Sequence, residues 1–320
     1  MTLLVALHRR RRGRQLHIMT MIPPKVTIII LTWNNKDDTI ECLDSLRSLT
    51  YPNFDIVLVD NGSTDGSLSY ISARYPDVAI VANEKNLGFA EGNNVGITYA
   101  LAKGTEYVLI LNNDTVAEPG FLDALMEVAE SDPRIGIIGP KIVYYHNPAK
   151  IWSTGGRINL FTGVSTNIRD NDSHESCQGV KIVDYVSGCA LLIKTEAIQR
   201  VGLFDKDYFL YLEDSDLSFR SRQQGYRSIV NCDTTVQHKA GASSSVVWDS
   251  NYYYFTRNSL LFLKKNGSWY HYPTCVLSIL ARYGARFVWN FAMGNRVRCR
   301  YILTGIRDYV KGNYGIQPSV

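Results

Sequence analysis

Two clusters of acidic and amide side chains are the residues of this chain best suited to chemistry. In the first, the apolar run Leu109–Leu111 is followed by Asn112, Asn113 and Asp114. Oxygen atoms of this kind are the ligands that Mg²⁺ and Mn²⁺ prefer, and such sites are usually completed by substrate phosphates. Asp114 and Asn112 therefore predict half of a divalent metal site that binds together with a nucleotide. The alternative is that Asp114 only caps a loop.

The second cluster places Glu213, Asp214 and Asp216 in the first turn of a predicted helix. One carboxylate there is enough to offset the helix dipole. Three within four positions repel one another and raise the pKa of at least one of them. A carboxyl group with a raised pKa near a nucleotide site suits a general base, and simple helix capping is the alternative.

Two further polar residues have both a structural and a functional interpretation. Asp60 precedes the turn residues Asn61-Gly-Ser63, so it either stabilises a turn or accepts hydrogen bonds from a nucleobase or ribose. His238 is followed by Lys239 and by small residues that could wrap an anion. His238 is therefore either a structural histidine or a contact to metal or diphosphate.

Three glycines spaced by four residues follow Asn86: Gly88, Gly92 and Gly96. They do not form the G-x-G-x-x-G pattern of dinucleotide-binding loops. On a helix this spacing puts them along one face, where the backbone could approach a sheet or a ligand closely. Packing alone is the alternative explanation.

A largely parallel sheet is predicted to position these residues. The predicted strands and helices alternate: strands Val26–Leu31, Phe54–Val59, Val78–Ala82 and Tyr107–Leu111, and helices Asp38–Leu49, Ala90–Ala102 and Pro119–Glu130. Alternation at this spacing predicts an α/β fold with helices on both faces of the sheet. Because ligands bind beyond the carboxyl ends of such strands, the polar groups that follow each strand should converge on one rim.

The pattern changes after Ser131. Shorter strands are predicted over Ile135–Ile138, Lys181–Val186, Ala190–Ile193 and Arg227–Asn231, with a loop over Thr162–Gly179 and a helix over Asp216–Gln224. From Asn251 onward the chain predicts amphipathic helices. We therefore divide it into a basic, disordered leader (1–22), a catalytic domain (23–250) with a nucleotide-binding half (23–130) and an acceptor half (131–250), and a basic, aromatic helical tail (251–320).

Charge is distributed unevenly along the chain. Residues 1–22 contain five arginines and no acidic residue, residues 23–251 carry a net charge of −10, and residues 252–320 carry +9. A basic, aromatic tail on an acidic body suggests attraction to an anionic membrane surface, and a solvated basic face is the alternative. We predict no nucleic-acid partner.

The cysteines and apolar runs bear on location. Six cysteines are scattered without C-x-x-C spacing, which predicts reduced thiols in a cytosolic setting. The short apolar run Leu3–Leu7 precedes the arginines, unlike a signal peptide. The longest apolar stretch, Trp269–Met293, is interrupted by charged residues and does not predict a membrane span. We therefore expect a cytoplasmic protein, peripheral on the inner face of the cell membrane.

Six segments together resemble family 2 of the inverting glycosyltransferases, particularly its rhamnosyltransferase-like branch. They are Val26-Thr-Ile-Ile-Ile-Leu-Thr-Trp-Asn34, Val59-Asp-Asn-Gly-Ser-Thr-Asp65, Asn86-Leu-Gly-Phe-Ala-Glu-Gly-Asn-Asn94, Leu111-Asn-Asn-Asp-Thr115, Ser187-Gly-Cys-Ala190 and Phe204-Asp205 with Tyr211-Leu-Glu-Asp-Ser-Asp-Leu217. The resemblance spans about residues 25–245. It implies a GT-A fold, a nucleotide-diphosphate sugar donor and a divalent metal, Mg²⁺ or Mn²⁺.

The resemblance also implies roles for individual residues. Asp214 matches the catalytic aspartate of the family's Glu-Asp pair, with Glu213 beside it, and Asp114 matches the metal-binding end of an Asp-x-Asp element whose first position here is Asn112. His238 matches a late histidine that helps to hold metal or diphosphate in some members. The candidate nucleotide contacts are the residues that follow the strands: Thr32, Asn34, Asp60, Asn61, Asn86, Gly88 and Asn113.

The same resemblance suggests a reaction. The Gln-x-x-Arg-Trp element of processive members is missing, since Gln223-Gln-Gly-Tyr-Arg227 stands there, so addition of a single sugar is expected. The favoured donor is dTDP-rhamnose, with UDP-sugars as the alternative, and the acceptor is a saccharide or a polyprenyl-diphosphate-linked glycan in cell-surface polysaccharide assembly. The competing functions are a sugar-nucleotide nucleotidyltransferase and a non-catalytic carbohydrate-binding protein of the same fold.

Overall fold

The structure, a computed structural model, describes residues 22–169, 176–240 and 245–316, with side chains from 249 onward in the last range. The predicted leader, residues 1–22, lies outside the described residues apart from Ile22.

The first half of the chain alternates strands with helices. Its elements are β1 (Val26–Thr32), α1 (Lys36–Leu46), β2 (Phe54–Asp60), α2 (Ser67–Arg74), β3 (Ala79–Ala82), α3 (Gly88–Ala102), β4 (Tyr107–Asn112), β5 (Thr115–Ala117) and α4 (Phe121–Ala129). Strands β4, β1, β2 and β3 lie side by side in that order, and all three pairings are parallel. Their carboxyl ends therefore meet at one edge of the sheet.

Successive side chains of the central strand β1 point into two different cores. Ile28 and Ile30 pack with residues of α1 and α4, whereas Ile29 packs with Ala90 and Ile97 of α3 on the opposite face. All three isoleucines are fully buried, and burying one such side chain contributes about 1.5–3 kcal/mol. A continuous apolar run is what a strand covered on both faces requires.

The second half adds a mixed extension to the sheet. Its elements are β6 (Ile135–Tyr144), β7 (Asn147–Ser153), β8 (Gly156–Asn159), β9 (Val164–Asn167), β10 (Val180–Val183), β11 (Ala190–Lys194), α5 (Thr195–Val201), α6 (Glu213–Gln223) and β12 (Arg227–His238). Strand β11 runs antiparallel between β4 and β6, and β12 pairs in parallel with β6 and antiparallel with β5 and β10. The predicted α/β class, with a central sheet flanked by helices, is confirmed, and parallel pairing dominates only in the first half.

Three helices follow β12: α7 (Ser245–Asn266), α8 (Tyr272–Ala292) and α9 (Arg296–Lys311). They share a small apolar core in which Cys275, Ile279 and Tyr283 of α8 pack with Leu263 of α7 and Ile302 of α9. Within the described residues, none of the helices has the length and apolarity needed to cross a bilayer.

Several predicted boundaries are wrong for identifiable reasons. Strand β12 continues past Asn231 to His238. Its register with β6 shifts between Asn231 and Thr235, and pairing with β6 resumes from Thr235 to His238. Helix α4 begins at Phe121, so Pro119 precedes it, and the Pro119 carbonyl accepts the Thr50 N–H. The predicted loop over 162–179 contains β9, which pairs with β8, and its residues 170–175 lie outside the described ranges.

The prediction that all six cysteines are reduced is also wrong. Cys177 and Cys232 form a disulfide, with Cα atoms 5.4 Å apart and 55 residues of separation, while Cys42, Cys189, Cys275 and Cys299 are free and buried. Spacing in sequence could not reveal the pair because the loop before β10 and strand β12 meet only in the folded sheet.

Candidate active site

Hydrogen bonds join the loops that follow β1 and β2. Asn34 has a left-handed backbone, with φ of 57°. Its backbone N–H donates to Ser63 Oγ at 2.7 Å, and its side-chain oxygen accepts the Thr64 N–H at 2.9 Å. Asparagine tolerates this conformation better than most residues. The structure thus brings Asn34 next to the turn that contains Asp60.

The loop after β4 is tied to the same region through Asn113. Its side-chain nitrogen donates to Thr39 Oγ1 at 2.9 Å and to Thr32 Oγ1 at 3.3 Å. The two hydroxyl groups also lie 3.0 Å apart, so they form one buried network at the end of β1. Thr32 and Asn113 therefore fix the rim, and their side chains are engaged with the protein.

Asn61 connects the end of β2 to the loop before α3. Its side-chain nitrogen donates to Asn86 Oδ1 (2.9 Å) and to the Gly88 carbonyl (3.1 Å). Its side-chain oxygen accepts from Asn83 Nδ2 and from the Leu87 N–H, both at 3.1 Å. Because its amide is engaged on both sides, Asn61 shapes the loop that carries Asn86 and Gly88.

Asp60 is buried at the centre of this rim, with 2% of its surface exposed. One carboxylate oxygen accepts the Ser63 N–H at 3.3 Å. The other, Oδ1, is buried and finds no hydrogen-bond partner among the described residues. A buried carboxylate oxygen without a partner is costly in free energy, and an incoming N–H or O–H donor would relieve that cost.

The glycines of α3 permit close packing against the sheet. A Cβ at Gly92 would lie 2.7 Å from Leu31 Cδ1, and one at Gly96 would lie 2.5 Å from Ile29 Cγ2. Gly88 has a φ of +81°, and its missing side chain makes room for the Phe209 ring. Packing against the sheet therefore explains why positions 92 and 96 are glycines. The glycine at position 88 allows the loop before α6 to lie against the rim.

Asp114 and His238 meet although they are 124 positions apart in sequence. His238 is the last residue of β12, which pairs with β5 directly after Asp114. The His238 Nε2 atom lies 3.2 Å from Asp114 Oδ1, and the side chains are 8% and 15% exposed. Burial alone would lower the pKa of His238, but the neighbouring Cys189 and Asp114 raise it to about 10. Asn112 precedes the pair, and its carbonyl accepts from Thr115 Oγ1 at 2.7 Å.

This pair fits a divalent cation only in part. A carboxylate oxygen and an imidazole nitrogen that converge are both ligands of transition-metal ions such as Mn²⁺. No group of three or more His, Cys, Asp or Glu side chains that could hold a metal is present in the described part of the chain. Asp114 and His238 would therefore hold a cation only with ligands supplied from outside the protein.

The three carboxylates at the start of α6 have different environments. Asp216 is 1% exposed and accepts from Arg220 Nε at 2.7 Å, Asn266 Nδ2 at 2.8 Å and Tyr208 Oη at 3.2 Å. A carboxylate with these partners is a structural group. It ties α6 to the end of α7, so Asp216 is not available for proton transfer.

Asp214 is the one carboxylate of the three that is not fully buried. Its Oδ2 accepts the Gly188 N–H at 3.0 Å, and its Oδ1 accepts the Ser215 N–H at 2.6 Å. Burial raises the pKa of Asp214, and these N–H donors oppose the rise. Asp214 thus combines a raised pKa with a fixed orientation.

Glu213 lies deeper, with 5% of its surface exposed and with one carboxylate oxygen, Oε2, that lacks a partner among the described residues. Burial and then the charge of Asp214 raise the pKa of Glu213 well above its ordinary value. Such a carboxyl group retains its proton more readily than Asp214 does.

One short turn, Ser187-Gly-Cys-Ala190, touches both clusters. The Gly188 N–H binds Asp214, and the next residue, Cys189, accepts the Asn112 N–H through its carbonyl at 2.9 Å. The two acidic clusters therefore lie on either side of this turn. The sequence singled out neither Gly188 nor Cys189 as site residues, because both act through the backbone and no side-chain pattern reveals that.

Comparison with known proteins agrees with this arrangement. The sequence model of the family described as glycosyl transferase family 2 matches residues 27–202 of this chain. An N-acetylglucosaminyl-diphospho-decaprenol L-rhamnosyltransferase of Mycobacterium tuberculosis is 27% identical over 268 residues, which cover 77% of this chain and 86% of that protein.

Solved structures share the fold. A mannosyltransferase of Pyrobaculum calidifontis, in complex with GDP-Man and Mn²⁺, superimposes with a TM-score of 0.56 at 18% identity and covers 90% of this chain and 87% of its own. GalNAc-T7 with UDP, GalNAc and Mn²⁺ gives a TM-score of 0.59 at 15% identity and covers 76% of this chain and 48% of its own.

The family match covers the rim, the Asp114 cluster and the Ser187–Ala190 turn, and it favours a glycosyltransferase over the nucleotidyltransferase alternative. This chain belongs to glycosyl transferase family 2 and is a glycosyltransferase.

Proposed function

We propose that this enzyme transfers one sugar from a nucleotide-diphosphate donor to an acceptor hydroxyl, with inversion at the anomeric carbon. The observation that carries the proposal is the Ser187–Ala190 turn, which holds Asp214 on one side and the Asn112–Asp114 loop on the other. A donor bound between them would present its diphosphate to Asp114 and its anomeric carbon towards Asp214.

Asp214 acts as the general base in this proposal. Its carboxylate removes the proton of the acceptor hydroxyl while that oxygen attacks the anomeric carbon and the bond to the diphosphate breaks. The N–H groups of Gly188 and Ser215 hold the carboxylate in one orientation, which favours an in-line attack. Glu213, the neighbouring residue, is more deeply buried, and burial and the charge of Asp214 raise its pKa.

Asp114 and His238 are the residues that would hold a divalent cation, Mn²⁺ or Mg²⁺, together with the donor diphosphate. When bound, the cation would neutralise the charge that develops on the leaving diphosphate. The convergence of a carboxylate and an imidazole supports this assignment. The solved neighbours with Mn²⁺ and a nucleotide or nucleotide sugar are consistent with it. Asn112 would contribute to this site by fixing the loop that carries Asp114.

The nucleotide is proposed to bind along the rim. Asp60 Oδ1, which has no hydrogen-bond partner in the described part of the chain, would accept a nucleobase N–H or a ribose hydroxyl. Asn34, Asn61 and Asn113 fix the loops around it. Thr32, Asn86 and Gly88 complete the wall of this site through the same network.

The favoured donor is dTDP-rhamnose, and a UDP-sugar is the alternative. Support for rhamnose comes from the motif resemblance and from the named activity of the mycobacterial relative. The same name describes an acceptor linked through diphosphate to a polyprenol, which suggests a lipid-linked glycan of the cell surface for this chain too. The absence of the Gln-x-x-Arg-Trp element supports addition of a single sugar.

The tail is proposed to hold the enzyme on the membrane that carries such an acceptor, at its inner face. Four exposed apolar residues of α8 are spaced three, eight and three positions apart, which places them on one side of the helix: Leu277, Leu280, Val288 and Phe291. Residues 252–320 contain 10 Lys and Arg residues against 1 acidic residue. An apolar stripe with basic flanks is typical of helices that lie in the membrane interface.

The test is a donor panel. Purified enzyme is incubated with dTDP-rhamnose, UDP-sugars or GDP-Man, a diphosphate-linked acceptor, and Mn²⁺, Mg²⁺ or EDTA, and released nucleoside diphosphate is measured. We expect release with one donor class, dependent on acceptor and abolished by EDTA. Failure of every donor, or release that EDTA leaves unchanged, would contradict the proposal.

A further inference from the structure

The loop immediately before α6 is held in an unfavourable backbone conformation. Phe209, Tyr211 and Leu212 have φ values of 61°, 68° and 71°. Bulky residues rarely adopt positive φ, and such conformations persist only where the surroundings impose them. Leu212 is the last residue before Glu213 and Asp214, so this strained segment determines where the first turn of α6 begins.

Asn258 of α7 holds the carbonyl groups of this segment. Its side chain is fully buried, and its amide nitrogen donates to the carbonyl oxygens of Tyr208 (3.1 Å), Leu210 (2.8 Å) and Tyr211 (2.8 Å). These oxygens belong to residues inside or next to the strained segment. A single amide therefore fixes the path of the chain into the catalytic helix.

Arg257, the neighbouring residue, secures the start of the same segment. Its buried guanidinium donates to the carbonyl oxygens of Asp207 (3.0 Å) and Tyr208 (2.7 Å), and to that of Gly315 (2.6 Å). A buried charge is expensive unless it is well satisfied. Here the guanidinium bonds to the backbone before α6 and after α9, and its Nε donates to Asn258 Oδ1 at 2.9 Å.

The loop also reaches the nucleotide-binding half. The Phe209 carbonyl accepts the Phe89 N–H at 2.7 Å, at the start of α3. The Phe209 ring lies against Gly88 and stacks on Tyr254 of α7 with ring centroids 5.5 Å apart. Helix α7, the loop, the start of α3 and the start of α6 thus form one connected unit.

We propose that Asn258 and Arg257 are positioning residues, which hold the 209–212 loop so that Asp214 is oriented for the reaction. The inference rests on the proposed role of Asp214. It assigns to α7 a part in the active site that is separate from any attachment to a membrane.

The test compares Asn258→Ala with Thr256→Val. Thr256 is equally buried in α7, but among the described residues its hydroxyl bonds only to the Tyr252 carbonyl of the same helix. The readouts are kcat and acceptor KM with the donor found active in the panel, binding of UDP or dTDP with Mn²⁺, the melting temperature, and deuterium uptake over 209–214. Asp214→Asn is measured in parallel.

For Asn258→Ala we expect kcat to fall about 10- to 100-fold, since a small misplacement of a reacting group costs this much. Nucleotide affinity should stay within about twofold of wild type, and deuterium uptake over 209–214 should rise. Thr256→Val should leave all five quantities near their wild-type values. If Asn258→Ala does not fold, Arg257→Lys replaces it and should show a smaller loss of kcat with the same rise in uptake.

A folded Asn258→Ala with wild-type kcat would overturn the inference, as would equal losses in Asn258→Ala and Thr256→Val. If Asp214→Asn keeps full transfer, the proposed base is wrong instead. Loss of transfer in Asp214→Asn with wild-type kcat in Asn258→Ala would reject only the positioning role.

Discussion

At the scale of single residues, the proposed metal site combines a hard oxygen of Asp114 with a softer nitrogen of His238, 3.2 Å apart. Mg²⁺ prefers oxygen ligands, whereas transition-metal ions accept imidazole readily. The identity of the cation should therefore depend on His238 more than on Asp114.

We predict that His238→Ala raises the Mn²⁺ concentration for half-maximal transfer about 10- to 100-fold. The requirement for Mg²⁺ should change less, because its remaining ligands are oxygens. Metal titrations of transfer with both ions measure this, with His146→Ala, a histidine in the turn before β7, as control. Identical Mn²⁺ requirements in wild type and variant would show that His238 holds no metal.

A second prediction concerns Glu213, whose pKa is raised well above 4.5 by burial and by Asp214. The folded state binds this proton more tightly than the unfolded state does. The unfolding free energy of the wild type should therefore fall relative to Glu213→Gln as pH rises above 4.5, by about 1.4 kcal/mol per pH unit at the steepest. The fall should end once pH exceeds the raised pKa.

Denaturant unfolding of both proteins from about pH 5 to pH 9 measures the effect. The difference between the two curves reports on Glu213 together with its interaction with Asp214. Parallel curves over that whole range would contradict the raised pKa.

The sequence indicated which side chains belong to the candidate site, but it did not indicate which backbone groups bind them. The residue types of Asp60 and Asp114, after apolar strands, and of Asp214, in the first turn of a helix, already indicated a charged rim, although each could also have had a capping or turn-stabilising role. The Gly188 N–H that binds Asp214 leaves no trace in residue type. The three neighbouring carboxylates of α6 could not be told apart either, since Asp216 is neutralised by Arg220 and Asn266 only in the fold.

At the scale of elements, α3 lies unusually close to the sheet through its glycines. A Cβ at Gly96 would lie 2.5 Å from Ile29 and 2.9 Å from Val59. We predict that Gly96→Ala destabilises the protein by about 1–3 kcal/mol through overpacking. Gly284, in α8, has no atom within 4 Å of a built Cβ, so Gly284→Ala should stabilise by about 0.5–1 kcal/mol.

Denaturant unfolding of the two variants provides the comparison. Opposite signs are expected for one chemical change made in two helices, because one site is packed and the other is open. A Gly96→Ala variant as stable as wild type would mean that α3 can move away from β1 and β2 without cost.

Strands β1 to β4 and helices α1, α3 and α4 were predictable from their apolar residues, whereas the short elements α2 and β5 were not predicted. The second half was harder because strand β12 mixes buried polar residues, such as Asn231, Thr234 and Thr235, with apolar ones. Its extension to His238 depends on pairing with β5 and β6, which are remote in sequence. The boundary error at this strand therefore has a tertiary cause.

At the scale of the whole molecule, an acidic body carries a basic tail with an exposed apolar stripe. We predict that Val288→Glu weakens binding to vesicles that contain anionic lipid, and that binding falls as salt increases. Val288 is 67% exposed on α8. Ile182→Glu, at a residue 58% exposed on the edge strand β10, is the matched control outside the tail.

Vesicle sedimentation at low and high salt measures this binding. Equal binding of the two glutamate variants, or binding that salt does not reduce, would mean that the tail's charge serves another purpose. The composition of residues 251–320 alone suggested a basic, aromatic helical tail. That the tail also contacts the loop before α6 through Arg257 and Asn258 could not be predicted, because backbone carbonyls are the partners.

The proposed reaction depends most directly on Asp214. Transfer and nucleotide binding are measured for Asp214→Asn beside Ser215→Ala, which keeps the carboxylate but removes a hydroxyl that donates to Asp214 Oδ1 at 3.3 Å. We predict that Asp214→Asn loses about 10²- to 10⁴-fold in transfer rate and binds nucleotide as wild type does, while Ser215→Ala loses far less. Undiminished transfer by a folded Asp214→Asn would show that this carboxylate is not the base.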